Sequence, residues 1–266
     1  MSNVFVVTND KGGAGKSILA KYVMPVLLSD QFESINVYEI DNSNVVRDCN
    51  DYFKSDHVAY RPFKIDEQNE AIFDVSFNED DDSIVSIIDS GGGDDVAAVL
   101  GALSKNKIAD PVFIIPTNDD AEQFENVSNT IKKIHQHYKK PRIVLVLNKV
   151  QDLSSPKEQF VNLFGKDEWG FQPKYPQLEK HIDTMCMIPD TRLFVALKNQ
   201  HRTALLDIYI MAKDLVENAN QYRQQWREEA KAKGDKQFYF SKLETLNFAD
   251  DIVEFVAILK KSFKDL

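Results

Sequence analysis

Cysteine is scarce in this chain of 266 residues, with Cys49 and Cys186 the only two. Two thiols cannot build a disulfide framework or a four-thiolate zinc centre, and they fit a reducing compartment. Glycine and proline number 10 and 9, too few for a collagen-like or low-complexity chain. No apolar run approaches the roughly 18 residues of a membrane span. The first residues, MSNVFVVTND, lack the basic start and apolar core of a secretory signal, so a cytoplasmic protein is expected. Cation excess is missing as well. Lys and Arg number 32 against 42 Asp and Glu, a net charge of −10 that argues against a protein coated in nucleic acid.

What is present is ordinary globular composition, 43% hydrophobic and 28% charged. The length suits one large α/β domain, or one domain with an appendage. Charge is unevenly spread along it. Residues 66–95 hold eleven Asp and Glu and no Lys or Arg, including Glu79, Asp80, Asp81 and Asp82. Residues 129–142 hold five Lys and Arg, two His and no acid. Both stretches read as solvated surface, and the basic one is the best candidate for touching phosphates.

No repeat or linker divides the chain. Short β-branched runs alternate with longer amphipathic ones. Strands are expected at Val4–Thr8, Ile35–Ile40, Ile84–Asp89, Val112–Pro116, Arg142–Asn148 and Thr184–Ile188. A helix is expected from Ser17 to Leu28, and another from Asn118 or Asp119, where Glu122 completes a capping-box pattern. Nearly all-apolar strands separated by helices predict a doubly wound, mostly parallel sheet with helices on both faces. Residues 150–180 read as an irregular excursion. Residues 203–266 read as a C-terminal helical part of the single domain 1–266, broken near Gly234. There Ile252, Phe255, Val256, Leu259 and Phe263 form a stripe at helical spacing. The stripe packs on the domain, or, with Lys260, Lys261 and Lys264, it serves a membrane surface or partner.

In such sheets ligands sit at the carboxyl ends of the strands, and every polar motif falls at one of those ends. Asp10-Lys11-Gly12-Gly13-Ala14-Gly15-Lys16-Ser17 follows the first strand and opens a helix. Glycines let backbone N–H groups converge on phosphate oxygens, and the helix N-terminus adds partial positive charge. Lys16 suits the β/γ-phosphates and the Ser17 hydroxyl a Mg²⁺ ion. Asp10 stands where the general phosphate-loop pattern has its first glycine.

With its second lysine, Lys11, the segment KGGAGKS resembles the deviant Walker A box of the ParA/MinD family of P-loop ATPases, closest to the ParA branch. The end of the second strand, Glu39-Ile40-Asp41-Asn42-Ser43-Asn44, is similar to the family's second acidic box. That resemblance implies that Asp41 orients the attacking water, with Glu39 and Asn42 replacing the usual aspartate and proline. Ile87-Ile88-Asp89-Ser90-Gly91-Gly92-Gly93 resembles the Walker B segment, implying that Asp89 holds Mg²⁺, with glycines where the family has prolines. Ile114-Ile115-Pro116-Thr117 resembles the family's later strand end. Leu147-Asn148-Lys149 resembles the segment whose asparagine reads the adenine edge, and Ile188-Pro189-Asp190 with Val195-Ala196 the segment lining the base. Asn148-Lys149-Val150-Gln151-Asp152 misses the guanine-reading pattern by one residue, so ATP is expected. The resemblance spans about residues 3–215.

The family's chemistry implies an ATPase with ATP and Mg²⁺ as its ligands. It binds nucleotide on Lys11, Gly12, Gly13, Ala14, Gly15, Lys16 and Ser17, with Asn148 and Pro189 at the base. Ser17 and Asp89 serve the metal, and Lys11, Lys16 and Asp41 the hydrolysis. Lys11 reaches the nucleotide of a second subunit, so ATP closes a homodimer. A ParA-type role in plasmid partition, cargo positioning or conjugation follows, with a stimulating partner protein. Non-specific DNA contacts would come from 129–142 or from Arg223, Arg227, Lys231, Lys233 and Lys236. Two alternatives stand beside it: a MinD-like membrane cycler using the Ile252–Leu266 helix, and a metabolic ligase of dethiobiotin-synthetase type. Neither Cys49 nor Cys186 sits where nitrogenase-reductase iron–sulfur ligands lie.

Overall fold

The structure is a computed structural model whose described residues are 2–41, 53–197 and 203–266. Asn42, Ser43, Asn44 and Cys49 lie outside them. Seven strands form one sheet: β1 (Val4–Val7), β2 (Ser34–Ile40), β3 (Val58–Phe63), β4 (Ile84–Ser90), β5 (Val112–Thr117), β6 (Arg142–Val150) and β7 (Thr184–Pro189). Their spatial order is β3-β2-β4-β1-β5-β6-β7, and every pair is parallel. This is the doubly wound sheet expected from the strand pattern.

Alternation explains why the strands read as unbroken apolar runs. In β1, Val4 and Val6 enter one core while Phe5 and Val7 enter the other. Burial on both faces removes the polar positions that a half-exposed strand would show. Helices α1 (16–28), α5 (Leu205–Glu217) and α7 (Lys236–Ser262) cover the Phe5 face. Helices α2 (Gln68–Asn78), α3 (Asp94–Lys105) and α4 (Gln123–His137) cover the Val4 face. A further helix, α6 (Ala219–Lys233), packs against α7 and ends at Gly234, whose φ of 63° lets the chain reverse.

Strand β3 was not expected from its sequence. Arg61 and Pro62 interrupt an apolar run there, which an edge position tolerates. Helix α4 begins later than expected. Asn118 and Asp120 close a turn on each other, with Asp120 N–H donating to Asn118 Oδ1 at 3.2 Å, and the helix starts only at Gln123. The Asp119 carboxylate instead accepts from Gln159 at 3.2 Å, so it caps nothing. Residues 150–180 are short turns of helix, such as Pro156–Gln159 and Tyr175–Leu178, as the irregular pattern suggested.

The C-terminal stripe is a core element. Ile252, Val256, Leu259 and Phe263 are each at most 4% exposed. Phe255 packs its ring against Phe194 at 5.6 Å. Each such side chain removed from water contributes roughly 1.5–3 kcal/mol, so α7 is anchored rather than loosely attached. Among the described residues no helix is long and apolar enough to cross a membrane.

Candidate functional site

Strand β1 lies between β4 and β5, so the chain turns away from it in both directions across the sheet. In sheets of this kind ligands bind where those directions diverge, at the carboxyl ends of the strands. The 10–15 loop leaves β1 there, with Asp41 after β2, Asp89 within β4 and Asn148 within β6 around it. Pro189 ends β7, at the far side of the sheet.

The loop is built for backbone donors. Lys11, Gly12 and Gly13 are exposed, while Ala14 and Lys16 are buried beneath them. Gly15 has φ 102°, and a Cβ there would collide with the amide of Asn148. That amide donates from Nδ2 to the Ala14 carbonyl at 3.0 Å and is 4% exposed. Asn148 therefore braces the loop from β6. Lys16 crosses under the loop and donates from Nζ to the carbonyls of Asn9 (3.2 Å) and Lys11 (2.9 Å). Burial lowers its pKa, while the carboxylates of Asp89, Asp41, Asp10 and Asp95 oppose that shift. A cation with four acids around it stays charged more readily than burial alone would allow.

Asp89 is 2% exposed, and its Oδ2 has no hydrogen-bond partner among the described residues. Burial pushes its pKa up to about 7; Lys21 pulls the other way, Glu39 raises it further, and Ser17 and Lys16 lower it. The Ser17 hydroxyl faces this carboxyl group, so the two metal-ligand candidates from the sequence do meet. Asp41 is half-buried, and its N–H donates to the Phe63 carbonyl at 3.2 Å. It lies close enough to Lys16 to raise that lysine's pKa.

Three features were not legible from motifs. Register pairs Glu39 of β2 with Asp89 of β4, because β4 inserts between β1 and β2. Lys21 answers this acid pair, with its Nζ 2.8 Å from Glu39 Oε1 and 2.9 Å from the Tyr60 hydroxyl. Lys21 lies in a π-helical stretch, Leu19–Val23, just before Pro25. Pro25 has no N–H to offer the Lys21 carbonyl, and a widened turn is the usual accommodation.

The second feature explains Asp10. Its side chain is ion-paired with Lys133 of α4, and Lys133 also donates to the Gly93 carbonyl at 3.2 Å. Gly93 N–H in turn donates to the Asp10 carbonyl at 2.6 Å. The residue that replaces the loop's first glycine is thereby tied to the glycines that follow β4. Gly91 is required there, since a Cβ would meet the Asp95 carboxyl group. The basic stretch 129–142 is consequently not all surface. Lys133 turns inward and Arg142 donates to the carbonyls of Asp265 (3.0 Å) and Leu266 (2.5 Å), leaving Lys132, Lys139 and Lys140 exposed.

The third is the position of Lys11. Its amine forms an ion pair with Glu122 beside α4. Both partners are largely exposed, so the pair is of the kind that contributes about 0–1 kcal/mol and exchanges easily.

No family model matches the chain, and no curated protein matches it. Among solved structures it is similar to the MinD cell division protein of Aquifex aeolicus, at 16% identity and a TM-score of 0.49, covering 75% of this chain and 86% of that one. It is similar to cobyrinic acid a,c-diamide synthase of Mycobacterium smegmatis, solved with an ATP analogue and magnesium, at 14% identity and a TM-score of 0.47. That match covers 74% of this chain and 91% of that one. A third likeness is to a protein of Borrelia burgdorferi B31 described as a plasmid partition protein, bound to AMPPNP. It has 14% identity and a TM-score of 0.43, over 73% of this chain and 89% of that one. Likenesses this distant carry no function across.

Proposed function

We propose that the chain binds ATP with Mg²⁺ on the 10–17 loop and hydrolyses it slowly, as a nucleotide-controlled switch similar in type to the ParA proteins. One observation carries this reading. An exposed loop of glycine amides with a buried lysine beneath it stands beside a buried carboxyl oxygen on the adjacent strand that has no hydrogen-bond partner among the described residues. The first half suits the oxygens of a phosphate chain and the second suits a hard divalent cation.

Ser17 and Asp89 offer only oxygen atoms, the donor set that Mg²⁺ prefers, so these residues fit that ion. Bound there, Mg²⁺ would neutralise charge on the β/γ-phosphate oxygens. Lys16 would exchange its carbonyl partners for the same oxygens, and the amides of Gly12 to Ser17 would fix their position. Asp41 would align the attacking water, a task of positioning more than of bond-making. Asn148 and Pro189 would border the base, which requires the Asn148 amide to turn from the Ala14 carbonyl.

Lys11 would leave Glu122 for the nucleotide of a second copy, making ATP the bond of a homodimer. A dimer with DNA-binding function would draw on the exposed cations Lys132, Lys139, Lys140, Arg223, Lys231 and Lys236. A role in plasmid partition or cargo positioning, with a stimulating partner, belongs to this reading.

The test is light scattering with no nucleotide, with ADP, and with a non-hydrolysable ATP analogue plus Mg²⁺, each with and without duplex DNA. The expected result is a dimer only with the analogue, and a Lys11→Ala protein that binds the analogue without dimerising. A mass indifferent to nucleotide would overturn the switch, and ATP consumption only with a small carboxylic acid would identify a ligase instead.

A further inference from the structure

Helix α2 presents an outer face that its own fold leaves uncovered. Ala71, Ile72 and Val75 point into the core, and the opposite side carries Phe73 and Phe77. Phe73 is 60% exposed and Phe77 is 85% exposed, the highest value for a large apolar side chain among the described residues. Spaced by four, they lie one above the other on the helix. With roughly 150–250 Å² per ring, the two show water about 300 Å² of aromatic surface, the lower end of the range for the largest apolar patch on a monomer, a kind of patch that is often functional.

Along residues 66–82, which hold α2 and its flanks, every charged residue is acidic. Asp66 and Glu70 continue the same face at helical spacing, seven and three residues before Phe73, and Asp80 and Asp82 follow the helix; all four are exposed. None of these four has an ion-pair partner among the described residues. The nearest cation on the neighbouring strand, Arg61, is already ion-paired with Asp74 and sits over the Tyr38 ring at 5.8 Å.

We propose that this face of α2 is a docking surface for a basic amphipathic segment of another protein, one that sets apolar side chains on Phe73 and Phe77 with Lys or Arg flanking them. Charge complementarity chooses the occupant. A second copy of this chain, docked face to face, would set acid against acid. An anionic lipid surface or nucleic acid would be repelled for the same reason. A cationic segment gains on all sides and covers the two rings. The surface is independent of the nucleotide loop and does not rest on the reading given for it.

The full chain is titrated by fluorescence anisotropy into two labelled synthetic peptides of one helical pattern, one of Leu and Lys, the other of Leu and Glu. The Leu/Lys peptide should bind, more weakly as salt rises, and the Leu/Glu peptide should not. Phe73→Ser with Phe77→Ser should cost roughly 30-fold or more in affinity, the fold-change of a lost aromatic anchor. Glu70→Lys with Asp80→Lys should weaken the Leu/Lys peptide and admit the Leu/Glu one. These are surface positions, so melting temperatures should match the parent. Equal affinity in the double serine variant would overturn the proposal, as would a parent homodimer that this variant dissociates, which would make the face a self-interface.

Discussion

Replacing Asp89 by Asn should change the pH dependence of stability in a calculable way. The carboxyl group is 2% exposed, and its pKa stands at about 7 against an ordinary value of 3.8. A folded-state value above the unfolded one means that the fold holds the proton more tightly. The stability contributed by the neutral group is fully present below about pH 4 and is lost as pH rises through about 7. Asn cannot ionise, so the difference between variant and parent is dominated by this group, with the titration of its neighbour Lys16 also changed by the lost charge. At about 1.4 kcal/mol per pH unit, the variant should gain on the order of 3 kcal/mol over the parent between pH 5 and pH 8, then level off. Urea unfolding at pH 5, 6, 7 and 8 in the presence of EDTA measures it. A difference that stays flat across that range would refute the reasoning, since it would mean the carboxylate ionises in the fold as it does in water. Adding Mg²⁺ with an ATP analogue above pH 7 should stabilise the parent and not the variant, because the unbonded oxygen is the proposed metal contact.

Glu39→Gln leaves the Lys21 amine buried beside Asp89 with its main charge partner gone. Breaking one half of such a pair should cost about 3–5 kcal/mol by chemical denaturation, whereas Lys21→Met with Glu39→Leu should be near neutral. An unaltered Glu39→Gln protein would show the pair to be solvated. Leu259→Ala should cost about 2–5 kcal/mol, the range for a fully buried leucine. A change within about 0.5 kcal/mol there would mean that the stripe on α7 is not seated in the core.

The fold class was legible because strands buried on both faces leave an unmistakable run of apolar residues, and Val112–Thr117 is apolar up to its last residue. Strand β3 was not, because at an edge one side is open and Arg61 and Pro62 are allowed. The basic stretch 129–142 misled in part for a related reason. Charge along a chain does not say which way a helix faces, and α4 turns Lys133 toward the loop. The capping pattern at Asp119 failed because a closer interaction, the turn between Asn118 and Asp120, competes for the same backbone.

The sequence by itself determined what the loop is made of: its glycines, its two lysines, and its place at a strand end before a helix. These are local facts, carried within eight residues. Only the tertiary structure decided what surrounds them. Lys21, Glu39 and Asp89 are distant in the chain and meet because the sheet order places β4 between β1 and β2. Asp10 finds Lys133, and Gly15 finds Asn148, across similarly long separations. Charge and close packing act through space at a few ångströms, so the state of a buried carboxylate such as Asp89 depends on neighbours that no linear motif contains.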